Sequence, residues 1–221
     1  MPRTVLVTGA NRGIGLELVR LLVSRGDKVI AACRSVSGEL SGLGVTVEEG
    51  VDVTSEDSVA HLVRRLEGQP IDLLINNAGI LSRENLSAMD FGAIRLQFEV
   101  NAMGPLRVSH ALLPQMGPGS KIGIVSSRMG SIEDNTSGGQ YGYRMSKVAV
   151  NMAGVSLAHD LKERGIAVAL LHPGFVKTEM TGGRGLVSAQ AAAAGLMDRL
   201  NGLNMANSGT FWHANGEVLP W

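Results

Sequence analysis

The sequence is poor in cysteine and aromatic residues, and it has no long uncharged apolar run. Cys33 is the single cysteine among 221 residues, which excludes an intramolecular disulfide. Together with the absence of a recognisable signal peptide, this favours a reducing compartment, and we expect a cytoplasmic protein. No window of about 18 residues is apolar without a charge, which argues against a membrane-spanning helix.

The sequence also lacks an excess of charge of either sign, since 20 Lys and Arg residues balance 20 Asp and Glu residues. A net charge of zero gives no long-range field for nucleic acid or an anionic membrane, so neither is expected as a partner. The five histidines and the one cysteine show no metal-ligand spacing, and no metal is expected. The absence of a Gly-x-Ser-x-Gly motif argues against a hydrolase with a nucleophile elbow.

Short apolar runs alternate with amphipathic stretches of helical length along the whole chain. The strand-like runs are 4–8, 28–33, 45–53 (broken at Gly50), 71–75, 121–126, 166–171 and 210–213. The helix-like stretches are 14–25, 55–66, 90–100, 102–115, 142–164 and 188–200. This alternation predicts an α/β fold: one domain over residues 1–221, with a doubly wound parallel sheet and helices on both faces. Ligands bind such sheets at the carboxyl ends of the strands.

A glycine-rich loop, residues 8–15, follows the first predicted strand with the spacing Gly-x-x-x-Gly-x-Gly at Gly9, Gly13 and Gly15. Glycine lets a phosphate approach the backbone closely, and the start of a helix adds free N–H groups. The loop therefore indicates phosphate binding, while a turn that needs glycine only for packing remains the alternative.

Tyr143 and Lys147 lie four residues apart in the predicted helix 142–164, so they share a face. A neighbouring cation lowers the pKa of a phenol, which would prepare Tyr143 to exchange a proton with a carbonyl oxygen. Ser127, just past a predicted strand, can donate a hydrogen bond to the same oxygen. A Tyr-x-x-x-Lys spacing taken alone is also common on solvated helix faces.

Taken together, these motifs resemble the short-chain dehydrogenase/reductase family, which implies a Rossmann-type fold. The resemblance runs from residue 4 to roughly residue 180, with the motifs in the family's order. They are the loop 8–15, Asp52-Val53, Asn76-Asn77-Ala78-Gly79, Asn101, Ser127, Tyr143 with Lys147, Pro173-Gly174, Val176 and Thr178. Within the family, the tracts 126–136, 141–144 and 216–221 resemble the C-factor and Sniffer-like carbonyl reductases.

The resemblance implies four catalytic roles. Tyr143 would be the acid/base, and Lys147 would lower its pKa and hold the nicotinamide ribose. Ser127 would orient and polarise the substrate oxygen, and Asn101 would hold a water that links Lys147 to solvent.

The resemblance also implies a cofactor-binding set, which begins with Gly9, Asn11, Arg12, Gly13, Ile14 and Gly15 of the glycine loop. Asp52 and Val53 would flank the adenine, and Asn77, Ala78 and Gly79 would line the adenosine ribose. Pro173, Gly174, Val176 and Thr178 would lie along the nicotinamide and pyrophosphate.

The choice of dinucleotide depends on the end of the second predicted strand, Ala31-Ala32-Cys33-Arg34-Ser35, which has no acidic residue. An acid there usually binds the ribose 2′-hydroxyl of NAD, whereas an arginine can pair with the 2′-phosphate of NADP. Arg34, with Arg12 in the glycine loop, therefore favours NADP(H) over NAD(H). The alternative is that Arg34 is an exposed loop cation.

These motifs predict an NADPH-dependent oxidoreductase that transfers hydride to a small-molecule carbonyl or from an alcohol. A dinucleotide-binding signalling or sensor protein is the alternative, but it has no need of all four catalytic groups. An extended epimerase or dehydratase fits poorly, because a large C-terminal substrate domain is missing.

Two further expectations concern the substrate cover and assembly. Segment 178–188, rich in glycine, is expected to form a short substrate lid. Because members of the resembled family usually form dimers or tetramers, the resemblance implies a homodimer or homotetramer through residues 102–115 and 142–164.

Met145 and Met152 are expected to be core side chains of the long helix.

Overall fold

The computed structural model describes residues 2–221, in which seven strands form one parallel sheet. The strands are β1 (Thr4–Thr8), β2 (Lys28–Cys33), β3 (Thr46–Glu49), β4 (Leu73–Asn76), β5 (Lys121–Val125), β6 (Ala167–His172) and β7 (Phe211–His213). Their order across the sheet is β3-β2-β1-β4-β5-β6-β7. The order reverses between β1 and β4, and the crevice at such a reversal is the usual ligand site.

Helices connect the strands on both sides of the sheet. They are α1 (Gly13–Ser24), α2 (Gly38–Ser41), α3 (Glu56–Arg65), α4 (Phe91–Phe98), α5 (Gly104–Leu112), α6 (Tyr141–Asp160) and α7 (Ala189–Gly202). Short 3-10 turns occur at Leu113–Gln115, Arg128–Gly130, Lys162–Arg164, Glu179–Thr181 and Met205–Asn207. Within the described chain, no helix has both the length and the apolarity needed to cross a membrane.

The sheet separates two apolar layers, because successive side chains of a strand point to opposite faces. On β1, Val5 and Val7 pack with α1 and α7, while Leu6 packs with α3, α5 and α6. All three β1 side chains are fully buried, as expected for a central parallel strand. The predicted single-domain, doubly wound fold is therefore confirmed.

Three sequence predictions differ from the structure. The third strand ends at Glu49, because Gly50 has a left-handed φ of 76° that ends the extended backbone. The predicted helices 90–100 and 102–115 form one continuous helical stretch, joined by a π-helical turn at Glu99–Met103. The short helix α2 was not predicted; the Ser37 side chain caps it by accepting a hydrogen bond from Leu40 N.

The methionines of α6 also contradict the expectation that they are core residues. The exposed fraction is 53% for Met145 and 68% for Met152. The buried face of α6 is formed instead by small and polar residues together with Val150 and Leu157. The large apolar side chains of Met145 and Met152 therefore do not mark the buried face of this helix.

Candidate active site

A cleft of about 810 Å³ lies at the carboxyl ends of the central strands. This volume is within the range of about 300–1,000 Å³ that is usual for small-molecule sites. Most residues predicted from sequence line it: Gly9, Asn11, Arg12, Gly13, Ile14, Arg34, Asp52, Val53, Asn77, Ala78, Gly79, Tyr143, Lys147, Pro173 and Thr178. The fold thus brings residues from six strand ends, from the first turn of α1 and from α6 into a single cavity.

The glycine loop brings backbone segments closer together than side chains would allow. A Cβ on Gly15 would overlap the Gly9 carbonyl oxygen, and one on Gly9 would lie 2.9 Å from Ala78 Cα. Gly9 also has a left-handed φ of 64°. The first turn of α1 receives no side-chain cap from Arg12, its N-cap residue. Its N–H groups therefore suit an anion, and the loop fits the phosphates of a dinucleotide.

Hydrogen bonds from β1 hold the floor of the cleft. The Thr8 hydroxyl accepts hydrogen bonds from the backbone N–H groups of Asn77 and Ala78, each at 3.1 Å. The Asn77 amide in turn donates to the carbonyl oxygens of Thr8 and Gly9, at 3.0 and 3.1 Å. Asn77 thus ties the glycine loop to the end of β4.

One part of the cleft combines an arginine with an acid. Arg34 is exposed and follows β2, and its positive charge helps lower the pKa of Asp52. The larger cause of that lowered pKa is the hydrogen bond from Thr54 N to the Asp52 carboxylate, at 2.9 Å. Among the described residues, the Arg34 guanidinium forms no ion pair. It therefore remains available to a phosphate.

Arg12 faces the cleft from the other side, where it pairs with Glu179. Both side chains are exposed, at 63% and 77%. The pair joins the glycine loop to the 3-10 turn Glu179–Thr181, which follows β6. Thr178 also approaches the loop, with its Cγ2 atom 3.4 Å from where a Gly13 Cβ would be.

Of the four predicted catalytic residues, Tyr143 and Lys147 line the cleft, and Ser127 lies beside Tyr143. Tyr143 and Lys147 lie in the first two turns of α6, and Lys147 Nζ is 5.6 Å from the centre of the Tyr143 ring. The Ser127 hydroxyl lies beside the Tyr143 phenol, whose pKa it helps to lower, and it accepts a hydrogen bond from Met129 N at 3.2 Å. Lys147 donates to the Val125 carbonyl oxygen at 2.9 Å and is 4% exposed.

Burial dominates the titration of both residues. It raises the pKa of Tyr143 to about 12, against the opposing effect of the Ser127 hydroxyl, and it lowers the pKa of Lys147 to about 8. From the sequence we expected a Tyr143 pKa below the ordinary value, but the net shift is upward. Its cause is desolvation, which penalises the charged form of each group.

Asn101 lies in the π turn between α4 and α5 and is 1% exposed. Its amide oxygen accepts from Ile80 N at 2.8 Å, and its amide nitrogen donates to the Ile80 carbonyl at 2.9 Å and to Ser146 Oγ at 3.0 Å. Asn101 therefore braces α6 against the segment that follows β4. The predicted water link to Lys147 stays a prediction.

Some predicted residues support the cleft without lining it: Gly15, Asn101, Ser127, Gly174 and Val176. Val176 is buried and forms a β-bridge with Val187, and Gly174 packs against Val187 and His213. Sequence reasoning missed several lining residues, including Glu39, Ile80, Glu179 and Met180. For Ile80, Glu179 and Met180, their positions just after the predicted residues Gly79 and Thr178 were the available signal.

Comparisons of sequence agree with this geometry. A family model described as short chain dehydrogenase matches residues 3–186. The chain is 45% identical over 224 residues to 1-hydroxy-2-glutathionyl-2-methyl-3-butene dehydrogenase of Rhodococcus sp. (strain AD45), covering 99% of each protein. It is also 43% identical over 155 residues to C-signal of Myxococcus xanthus, covering 69% of this chain and 93% of that protein.

Solved structures show the same similarity. The NADPH-bound carbonyl reductase from chicken fatty liver superposes with a TM-score of 0.90 at 31% identity, covering 100% of this chain and 99% of that one. The carbonyl reductase Sniffer of D. melanogaster gives 0.92 at 30% identity, covering 100% of both chains. These similarities confirm the resemblance inferred from the motifs. The chain belongs to the short-chain dehydrogenase family.

Proposed function

We propose that this protein is an NADPH-dependent oxidoreductase that reduces a carbonyl group or, in reverse, oxidises an alcohol. One observation carries the proposal: Tyr143 and Lys147 lie together in a dinucleotide-sized cleft, and the Ser127 hydroxyl lies beside the Tyr143 phenol. These are a proton donor, a hydrogen-bond donor and a cation placed to act on one substrate oxygen.

The protein's part in the reaction follows from these groups. A bound nicotinamide dinucleotide would supply or accept the hydride. Because its pKa is about 12, the Tyr143 phenol is protonated at neutral pH and can donate its proton to a carbonyl oxygen that gains negative charge. Ser127 donates a hydrogen bond to the same oxygen and orients it.

Lys147 is the predicted anchor for the nicotinamide ribose. With a pKa of about 8, it carries a positive charge at neutral pH, and only one acceptor for it, the Val125 carbonyl oxygen, is found among the described residues. An ammonium group has three donors, so two remain for ribose hydroxyls. Its charge also favours the transfer of the proton from Tyr143.

NADP(H) is the proposed cofactor in preference to NAD(H). Arg34, which forms no ion pair among the described residues, and Arg12, which pairs with Glu179, both line the cleft. Such guanidinium groups suit a 2′-phosphate, which they can bind through charge-assisted hydrogen bonds. The NADPH-bound carbonyl reductase from chicken fatty liver, similar over the whole chain, supports the same choice.

The substrate class is a small carbonyl compound or the matching alcohol. Segment 178–188 is the proposed lid; it is held at its base by hydrogen bonds between Lys177 N and Val187 O and between Leu186 N and Phe175 O. The relative from Rhodococcus is named for an alcohol that carries a glutathionyl group. Thioether alcohols therefore belong in the substrate panel beside ketones, aldehydes and quinones.

The test is NADPH oxidation across that panel by the wild type and by Tyr143→Phe. We expect the variant to lose about 10²- to 10⁴-fold in turnover, the usual contribution of a general acid, while still binding NADPH. Tyr141→Phe is the matched control, because it removes the chain's other phenol. Equal activity of wild type and Tyr143→Phe would contradict the proposal.

A signalling or sensor role is the second candidate, favoured by the similarity to C-signal. Tight NADPH binding without turnover on any compound of the panel would support it. We further propose a homodimer or homotetramer through residues 102–115 and 142–164. A cytoplasmic location completes the proposal, supported by the single buried thiol of Cys33.

A further inference from the structure

A buried carboxylate lies at the start of α6, outside the groups already assigned a role. Glu84 belongs to the segment between β4 and α4 and is 3% exposed. Its Oε1 atom accepts hydrogen bonds from Ser82 Oγ and, at 2.8 Å, from Gln97 Nε2. Its Oε2 atom accepts from the backbone N–H of Gly142 at 3.3 Å. Gly142 immediately precedes Tyr143.

The chemistry of this cluster requires an acceptor at position 84. Three donors converge on the side chain, and a carboxylate is the only side chain of this length that offers two oxygens and no donor. A buried carboxylate is tolerated where donors of this kind surround it. The Gly142 N–H also belongs to the first turn of α6, where a negative charge is favourable.

The first turn of α6 depends on Glu84 because it has no cap of its own. The N-cap residue, Gln140, makes no side-chain cap hydrogen bond. It is also the only non-glycine residue among 2–221 with a positive φ, at 49°, a conformation that ordinary residues adopt only when neighbouring groups hold it. The Glu84 carbonyl oxygen holds it here, by accepting from Gln140 N at 2.9 Å. Glu84 thus contacts the turn through both its backbone and its side chain.

Gln97 completes the connection from α4. It is fully buried, and its Oε1 atom accepts from Ser82 N at 3.0 Å. A Cβ on Gly142 would overlap Gln97 Nε2, so the amide packs directly on the backbone of α6. Asn101, one helical turn further on, makes the corresponding contact with Ser146. Two buried amides therefore fix the turns of α6 that carry Tyr143.

We propose that Glu84 and Gln97 are positioning residues that set the place of the Tyr143 phenol by fixing the first turn of α6. The inference rests on the proposed function, since it gives Tyr143 the role of proton donor. Neither residue contacts the reacting oxygen, so both act through the helix backbone.

The substitution Glu84→Gln provides a sharp test because it preserves size but removes one acceptor. If the new amide oxygen faces Ser82 and Gln97, its NH₂ group faces the Gly142 N–H. If the amide at position 84 is flipped, its NH₂ group faces the NH₂ group of Gln97. Gln97 could then turn its amide oxygen towards position 84, but the Ser82 N–H would lose the acceptor that this oxygen provides. One buried donor is left without a partner in either case. The double variant Glu84→Gln/Gln97→Glu restores the balance, because the carboxylate then lies on α4. The amide at position 84 can then accept from Gly142 N and donate to that carboxylate.

The kinetic arm compares wild type, the single variant and the double variant. We expect Glu84→Gln to lower kcat at least tenfold with the Kd for NADPH within twofold of wild type, and the double variant to recover most of kcat. Glu48→Gln is the control, because Glu48 is another buried carboxylate, paired with Arg65 and remote from α6. A kcat for Glu84→Gln within twofold of wild type, or one lowered equally by the control, would overturn the proposal.

A second arm reads the position of Tyr143 without turnover, so that failure of the proposed function can be recognised separately. The chain has only two tyrosines, so a Tyr141→Phe background leaves Tyr143 as the sole phenol. Its tyrosinate absorbance is followed by rapid pH jump. We expect the pKa of about 12 to fall towards the ordinary value near 10 in Glu84→Gln, as water reaches a displaced phenol, and to return in the double variant. An unchanged pKa in Glu84→Gln would contradict the inference even if no substrate is found.

Discussion

Burial shifts the pKa values of Tyr143 and Lys147 in opposite directions, and the two shifts serve one reaction. The phenol stays protonated to about pH 12, while the ammonium group begins to lose its charge near pH 8. A neutral phenol beside a cation is a suitable proton donor, because the charge favours the phenolate that forms as the proton leaves. Keeping a charged lysine only 4% exposed costs desolvation free energy, and the stability of the rest of the fold offsets that cost.

The first prediction at this scale concerns stability. Lys147→Met should raise the free energy of unfolding by about 2 kcal/mol at pH 7, because it removes a desolvated charge at the expense of one hydrogen bond to Val125 O. The folded pKa of Lys147 lies below the unfolded value. The unfolded chain therefore binds the extra proton between pH 8 and 10.5, and the wild type gains stability as pH rises through this window.

Denaturant titrations of both proteins between pH 7 and 10 check this prediction. The difference in unfolding free energy should shrink as pH rises, and turnover should be lost in the variant at every pH. A difference that stays constant with pH would show that the lysine charge does not destabilise the fold.

The second prediction concerns Arg34. Arg34→Ala should raise the Kd for NADPH about 10- to 100-fold, the value of charge-assisted hydrogen bonds to one phosphate, and leave the Kd for NADH within about twofold. Fluorescence titration with both cofactors measures the difference. Arg64→Ala is the matched control, since it removes an exposed arginine at the end of α3, away from the cleft. Equal weakening for NADPH and NADH would exclude a role in binding the 2′-phosphate.

At the scale of elements, the glycine loop and the turn Glu179–Thr181 approach each other across the mouth of the cleft. Arg12 and Glu179 join them, and a pair so exposed contributes little to stability. The Glu179 carboxylate nevertheless pairs with the Arg12 guanidinium, which would otherwise be free to bind a phosphate. A cofactor phosphate that binds Arg12 therefore competes with the Glu179 carboxylate for the guanidinium group.

Glu179→Gln should release Arg12 and remove a negative charge near the phosphates. We expect the Kd for NADPH to fall about two- to fivefold at low salt, with a smaller effect at high salt and an unfolding free energy within about 0.5 kcal/mol of wild type. Isothermal titration at two ionic strengths measures it, with exposed Glu67→Gln as the control. Weaker NADPH binding in Glu179→Gln would instead show that the ion pair helps to shape the loop.

At the scale of the whole molecule, several large apolar side chains on neighbouring helices remain exposed. Met145 and Met152 on α6, with Phe98, Met103 and Leu106 on the neighbouring helical stretch, are each more than one third exposed. A monomer gains nothing from such exposure, whereas a second copy of the chain can bury these side chains. This is the surface through which we propose the homo-oligomer.

Met152→Glu should therefore shift the protein towards monomer, because it would place a charge in an apolar interface. Sedimentation equilibrium of wild type and variant over a range of concentrations measures the change. Val23→Glu, at an exposed apolar position on α1, is the control and should leave the assembly unchanged. A wild-type protein that is monomeric at all concentrations would contradict the proposed assembly.

Much of the molecule was determined by local sequence. β1 and β2 have the predicted bounds, because a buried parallel strand is a continuous apolar run that ends at a turn. The glycine loop and the Tyr143–Lys147 spacing were equally readable, since both are patterns within eight residues. These local signals were enough to predict the doubly wound fold and most residues that line the cleft.

Tertiary structure alone decided which way the environment shifts these groups and what supports them. Glu84 and Gly142 are 58 residues apart, so no local pattern announces their hydrogen bond. The direction of the Tyr143 pKa shift could likewise not be predicted. The four-residue spacing shows that a lysine lies nearby, but it does not show how much water folding removes from the phenol. The exposure of Met152 depends on which neighbours pack against α6. Desolvation and long-range packing are properties of the folded chain, and the sequence determines them only through the fold.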